Sequence, residues 1–232
     1  MLAASALAAV ALPAGSIAAF STAAAGAGVP ATWRRVTIPR VKGPEFALVD
    51  DAGRTVLRVR ADSAAGSLAH DLSAAPAATP MLSWRWKVER SLDRAAWGIR
   101  EGDDFAARVY VTFDVPVDAL PLADRAKLAL GRVLHGDDLP TAAICYVWAS
   151  RVPVGTTGWS PYTGRVRIVV LESGDARAGQ WVSETRDLEA DFRAAFGGPA
   201  PRITSVLVAS DTDQTRASAT AWFGDMRLEA RP

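Results

Sequence analysis

Residues 82–88 read LSWRWKV, and residues 105–113 read FAARVYVTF. In the first, Leu82, Trp84, Trp86 and Val88 alternate with Ser83, Arg85 and Lys87. A period of two is the signature of a strand whose two faces meet different surroundings. One face must hold both tryptophans, so Trp84 and Trp86 are expected in a core. In the second stretch, Phe105, Ala107, Val109, Val111 and Phe113 are expected inward, with Arg108, Tyr110 and Thr112 opposite.

The same period extends in both directions. Phe46 and Leu48 precede Asp50-Asp51-Ala52-Gly53, and residues 55–60 alternate again, which predicts a hairpin turning at 51–53. Residues 68–72 are expected to continue that sheet. Further strands are expected over 143–149, 165–171, 202–210 and 220–228. Two helices interrupt the pattern. One is expected over 122–134, after Pro121 and before Gly136, and the other over 187–196, with Asp187 as N-cap and Gly197 as stop. Short strands divided by Gly, Pro and Asp turns imply an all-β, jelly-roll-like sandwich of two sheets with two short helices laid on it.

The chain has 232 residues, of which 50% are hydrophobic and 22% charged, so it can bury a proper core. Its 26 Lys and Arg against 25 Asp and Glu leave a formal charge of +1, which excludes a broad basic field for nucleic acid. Cys145 is the only cysteine, which excludes an internal disulfide and a cysteine-based metal cluster. It reads as a small core residue. His70 and His135 are expected at the surface. No G-x-S-x-G, phosphate loop or dinucleotide fingerprint is present.

No charged side chain precedes Arg34. Residues 2–12 are apolar, Pro13 and Gly15 follow, and small residues with Ala-x-Ala spacing stand at 23, 25 and 27. This predicts residues 1–27 as a signal peptide or a disordered Ala-rich leader, with cleavage between about 24 and 30. The folded domain is then expected over 28–232, in the periplasm or secreted, with no integral membrane span.

Five segments stand in order: LSWRWKV at 82–88, EGDDFAARVYVTF at 101–113, CYVWA at 145–149, WVSETRDLEADFRAAF at 181–196 and SDTDQTRASATAWFGD at 210–225. Together they resemble the bacterial domain-of-unknown-function family numbered 3047, from about Trp33 to the C-terminus. Gln214 and Arg216 stand where that family has Asn and Gly. The resemblance implies an exported protein with no assigned activity, and final strands like those of carbohydrate-binding jelly rolls.

Glu101, Asp103 and Asp104 stand just before one strand, and Asp211 and Asp213 just after another. If these strands are antiparallel neighbours, the carboxylates converge at one rim and need compensation from a cation, a proton or an arginine. Arg108 is the candidate partner. A Ca²⁺ ion held by Asp103, Asp104, Asp211 and Asp213 is the metal alternative. Plain turn and capping chemistry is the third. Trp97 and Trp159 lie beside glycines in expected loops, where an indole can offer a flat face to a sugar ring. Tyr146 and Trp148 share one strand face. They join Arg108 and Tyr110 as a binding floor if that face is open, or pack if it is core.

The reading that follows is an exported sandwich binding a glycan or an envelope polymer without catalysis. Its expected contact residues are Trp97, Asp103, Asp104, Arg108, Tyr146, Trp148, Trp159, Tyr162, Asp211, Asp213 and Thr215. The alternatives are a hydrolase of an envelope polysaccharide, with Asp104 and Asp213 as acid and base, and a structural envelope protein with no small ligand.

Overall fold

A computed structural model describes residues 15–126, 129 and 140–232. The chain folds as two sheets facing one another. The larger holds β1 (Trp33–Thr37), β4 (Ala65–Ala74), β6 (Phe105–Phe113), β7 (Ala142–Ala149), β8 (Thr157–Ser160), β9 (Thr163–Ser173) and β11 (Ile203–Asp211), in the order β1-β4-β11-β6-β7-β9-β8. The smaller holds β2 (Glu45–Asp51), β3 (Arg54–Asp62), β5 (Met81–Val88), β10 (Val182–Asp187) and β12 (Ser218–Phe223), in the order β10-β5-β12-β3-β2, with β13 (Arg227–Glu229) also paired to β5. The architecture is the all-β sandwich expected from the alternation. All pairings are antiparallel except β7 with β9.

The core lies between the sheets. Leu82, Trp84, Trp86 and Val88 of β5 face Val109, Val111 and Phe113 of β6 and Val206 and Val208 of β11 within one buried cluster. Trp86 meets Trp84 edge-on at 5.7 Å and Trp148 at 6.0 Å. The β2–β3 hairpin turns on Ala52 and Gly53, both at positive φ (54° and 80°), as a two-residue turn between right-twisted strands requires. Helix α1 (Leu188–Phe196) starts where expected. The Asp187 carboxylate accepts from the Ala190 amide at 3.0 Å, and Gly197 ends the helix at φ 76°.

Several expectations are corrected. Residues 68–72 do not extend the hairpin's sheet, because β4 pairs with β1 and β11 in the other sheet. Residues 220–228 are two strands rather than one. They break at Gly224, where an added Cβ would lie 2.6 Å from the Arg85 side chain. Phe105 joins the Arg108 and Tyr110 side of β6, because an extra residue of β6 shifts the register against β11 between Phe105 and Arg108. His70 is buried at 4% exposure rather than superficial. Trp159 lies in β8 rather than in a loop. The helix expected over 122–134 falls largely outside the described residues, and His135 lies outside them altogether.

Residues 15–32, which precede β1, pack on the domain. Ile17 and Phe20 are in the core, on the N-terminal side of the division expected at residue 27. No helix among the described residues is long and apolar enough to cross a membrane.

Candidate functional site: a groove on the outer face of the large sheet

Along β6 and β11 the residues between the core valines face outward. Tyr110, Thr112, Ser205, Leu207 and Ala209 form a floor, since Tyr110 opposes Leu207 and Thr112 opposes Ser205. Ser67 of β4 extends the floor. Arg34, Val36 and Ile38 stand along one wall, and Pro140, Thr141 and Val166 along the other. The groove encloses about 510 Å³. Its hydroxyls are linked, with Thr112 Oγ1 2.7 Å from Thr204 Oγ1 and 2.6 Å from Ser205 Oγ.

Beside the groove, part of this outer face is covered. The stretch before β6 folds over it, and Trp97, Phe105, Cys145, Val147, Ile168 and Val170 make a second apolar cluster there. Gly158 is required beneath Trp97, since a Cβ would come within 2.8 Å of the indole.

At one end of the groove the two acidic segments meet, as β6 and β11 are antiparallel neighbours. Asp211 Oδ1 accepts from the Phe105 amide at 2.9 Å and from Arg108 Nε at 2.8 Å, and Asp211 Oδ2 lies 2.5 Å from Arg108 Nη2. Arg108 also donates to the Tyr110 hydroxyl at 3.2 Å and to the Asp103 carbonyl, and it lies 4.5 Å over the Phe105 ring. Asp103 Oδ2 sits 3.4 Å from Nη2. Arginine is therefore the compensating charge. Its side chain spans the distance by running back along the sheet from the fourth position of β6.

The electrostatics follow from burial. Arg108 is desolvated, yet Asp211, Tyr110 and Asp103 hold it well above the ordinary arginine value. Burial pushes Asp211 up to about 7 against the pull of Arg108. Burial also raises Asp103, with Arg108 opposing, and raises Asp213, with Asp104 adding to the effect. The Cys145 thiol is pushed up to about 12 by burial, which keeps it protonated and inert.

Asp104 has a different role. It is 0% exposed and accepts from the Thr215 amide at 2.7 Å, the Thr215 hydroxyl at 2.6 Å and the Gln214 amide at 3.4 Å. Asp104 and Thr215 thus clamp the loop after β11 rather than face a ligand. Asp213 accepts from Gln214 Nε2 at 2.7 Å. With Asp211 and Asp103 turned to Arg108 and Asp104 turned to Thr215, the four carboxylates expected around Ca²⁺ do not converge on one point. Among the described residues no group of three or more His, Cys, Asp or Glu is placed to hold a metal ion.

The aromatic candidates separate. Tyr146 and Trp148 are 0% and 1% exposed, because their face of β7 is the core face, opposite Arg108 and Tyr110. Tyr146 donates to Asp191 at 2.7 Å and Trp148 to the Gly174 carbonyl at 2.9 Å. They are core residues, not a binding floor. Trp97 covers the second cluster. Trp159 neighbours Gly158 on β8 and so points to the other side, against Phe196 at 5.4 Å, with Arg167 at 5.0 Å over its ring. Tyr162 donates to the Arg100 carbonyl at 3.2 Å. None of the three lines the groove.

The groove-lining residues outside the expected contact set include small or hydroxyl-bearing ones, Ser67, Thr141, Thr204, Ser205 and Ala209, and apolar ones, Val36, Ile38, Val166 and Leu207. The alternation in 203–211 does put Ser205, Leu207 and Ala209 on one face. Nothing local marks that face as open.

The model of the protein family of unknown function DUF3047 matches residues 31–227, and the chain belongs to that family. No curated protein matches the chain. Among solved structures, the xyloglucanase domain of NopAA from Sinorhizobium fredii aligns at 13% identity over 86% of this chain and 93% of its own, with a TM-score of 0.43. Endoglucanase 3 of Trichoderma harzianum, from family GH12, aligns at 6% identity over 88% of this chain and 100% of its own, with a TM-score of 0.41. A family 12 xyloglucanase from Bacillus licheniformis aligns at 9% identity over 84% and 89%, with a TM-score of 0.43.

Proposed function

We propose that this DUF3047 protein is exported and binds a carbohydrate chain of the cell envelope in the outer groove of its large sheet, without transforming it. The observation that carries this reading is the groove itself. It is open, about 510 Å³ in volume and lined by linked hydroxyls, and its charges are already paired as Arg108–Asp211, Arg34–Asp71 and Arg202–Asp114. Such a surface offers hydrogen bonds and apolar contact to a neutral polyhydroxyl ligand.

Binding without hydrolysis is supported by the engagement of Asp103 and Asp211, the close carboxylate pair, with Arg108. A glycosidase needs two of them about 5–9.5 Å apart across the scissile bond. Asp104, the acid of the hydrolase alternative, is fully buried and bonded to Thr215. Asp71 opposes Ser205, six positions along β11 from Asp211, which is roughly 20 Å at strand rise. A second reading, a partner-binding envelope protein with no small ligand, is supported by the exposed Ile99, Val154, Trp159 and Tyr162.

A glycan array probed with the full chain, with and without Ca²⁺, tests the proposal. Binding that is lost in Leu207→Arg and kept in Trp159→Ala supports the groove. A silent array, or binding that survives Leu207→Arg, overturns it.

A further inference from the structure

Residues 15–27 carry the small-residue spacing that suggests a cleavage region, yet they are built into the sandwich. Phe20 is 0% exposed and stacks on Trp33 of β1 at 4.7 Å. Trp33 Nε1 donates to the Ala18 carbonyl at 3.0 Å, and the Ala18 amide donates to His70 Nε2 of β4 at 3.1 Å. These contacts tie the segment to the edge of the large sheet.

Others tie it to the small sheet. The Ser21 amide and hydroxyl donate to the two oxygens of Asp225, after β12, at 3.0 and 2.6 Å. The Gly26 amide donates to the Leu48 carbonyl of β2 at 2.9 Å. The segment therefore bridges both sheets where β1 and β4 face β2 and β3. It plugs that side of the core with Ile17 and Phe20.

Of the partners it satisfies, His70 is buried and Asp225 half-buried. His70 is neutral, since burial lowers its pKa against the opposing charge of Asp71, so its Nε2 is free to accept. Asp225 is held below the usual carboxylate range by its bonds to Ser21 and Arg54, which outweigh its burial. Removal of the segment would leave His70 and Asp225 short of partners and open the core to water.

We propose that residues 17–27 are a permanent strap of the working protein, and that processing of the Ala-rich N-terminus cuts on the N-terminal side of Ile17. The sequence accommodates such a cut. The apolar run 2–12 is of h-region length, Pro13 follows it, and Ala14-Gly15-Ser16 supplies small residues at the first and third positions before Ile17. Cleavage at 23–27 would instead excise Phe20 and Ser21. The cut rests on the export proposed above, whereas the strap does not.

Two measurements separate them. Intact-mass analysis of the full chain produced in an exporting bacterial host should show an N-terminus at or before Ile17. An exported product that begins between residues 18 and 32 overturns the proposal. An uncleaved product in the cytoplasm keeps the strap and removes the export reading.

Hydrogen exchange on the full chain should show slow amides at Ala18, Ser21 and Gly26. Exchange of all three at the rate of unstructured chain overturns the strap. Phe20→Ala should lower Tm by roughly 6–20 °C and release those amides. An unchanged Tm with unchanged protection would also refute it.

Discussion

Replacing Arg108 by Met tests the chemistry at the end of the groove. The guanidinium is 4% exposed and is bonded to Asp211, Asp103 and Tyr110. Methionine fills much of the same volume and keeps the contact with Phe105, so the change removes charge more than bulk. Asp211 and Asp103 are then left buried without their counter-charge, a loss of about 3–5 kcal/mol when the carboxylates are ionised.

The loss should depend on pH. Burial raises Asp211 to about 7 in the folded protein, above its unfolded value of about 3.9. The stabilisation from its bound proton is fully present below the unfolded value and is lost as pH rises through 7. Arg108 is the main influence holding Asp211 and Asp103 down, so in the variant both rise further, and each added unit is worth about 1.4 kcal/mol.

The gap between wild type and Arg108→Met should therefore be widest near pH 8.5 and narrow toward pH 5. Urea unfolding at the two values measures it. Asp211→Asn, alone and combined with Arg108→Met, closes a double-mutant cycle with a coupling of roughly 0.5–3 kcal/mol. A loss below about 1 kcal/mol at pH 8.5, or a gap of equal size at both values, would refute the assignment of Arg108 as the counter-charge.

Trp86→Ala should destabilise the protein by about 3–5 kcal/mol in the same unfolding assay, because the indole is fully buried between Trp84 and Trp148. A melt equal to wild type would place β5 the wrong way round. Glu184 accepts from Trp86 Nε1, and burial, then the nearby charge of Glu172, raises its pKa to about 7. Wild type should therefore lose Tm as pH climbs through 7, and Glu184→Gln should flatten that part of the profile. Identical Tm–pH curves from pH 5 to 9 would exclude a raised Glu184.

Alternation within the strand set which face of β5 carries the core. LSWRWKV has one solution to its alternation, and Leu82, Trp84, Trp86 and Val88 are all inside. The hairpin at Ala52-Gly53 and the Asp187 cap were equally legible, because turn and cap geometry is set within a few residues. The meeting of Asp103 with Asp211 followed from one inference about neighbouring strands.

The remaining placements depend on contacts between residues far apart in the chain. Which face of β7 meets solvent depends on where the second sheet lies, so Tyr146 and Trp148 went to the core. The side of β6 that carries Phe105 depends on one extra residue in register, which side-chain alternation does not reveal. Trp97 and Trp159 look alike beside their glycines, yet Trp97 lies over Gly158 while Trp159 projects from the other side of β8 against Phe196. The groove opens over Ser67, Ser205 and Ala209, three small residues on two strands, and is flanked by Arg34, Ile38 and Val166. The strap shows the same limit. A run of small apolar residues reads locally as a leader, and only distant His70, Asp225 and Leu48 make it part of the fold. Backbone pattern is local chemistry, whereas solvent exposure is a property of every surface that could cover a residue.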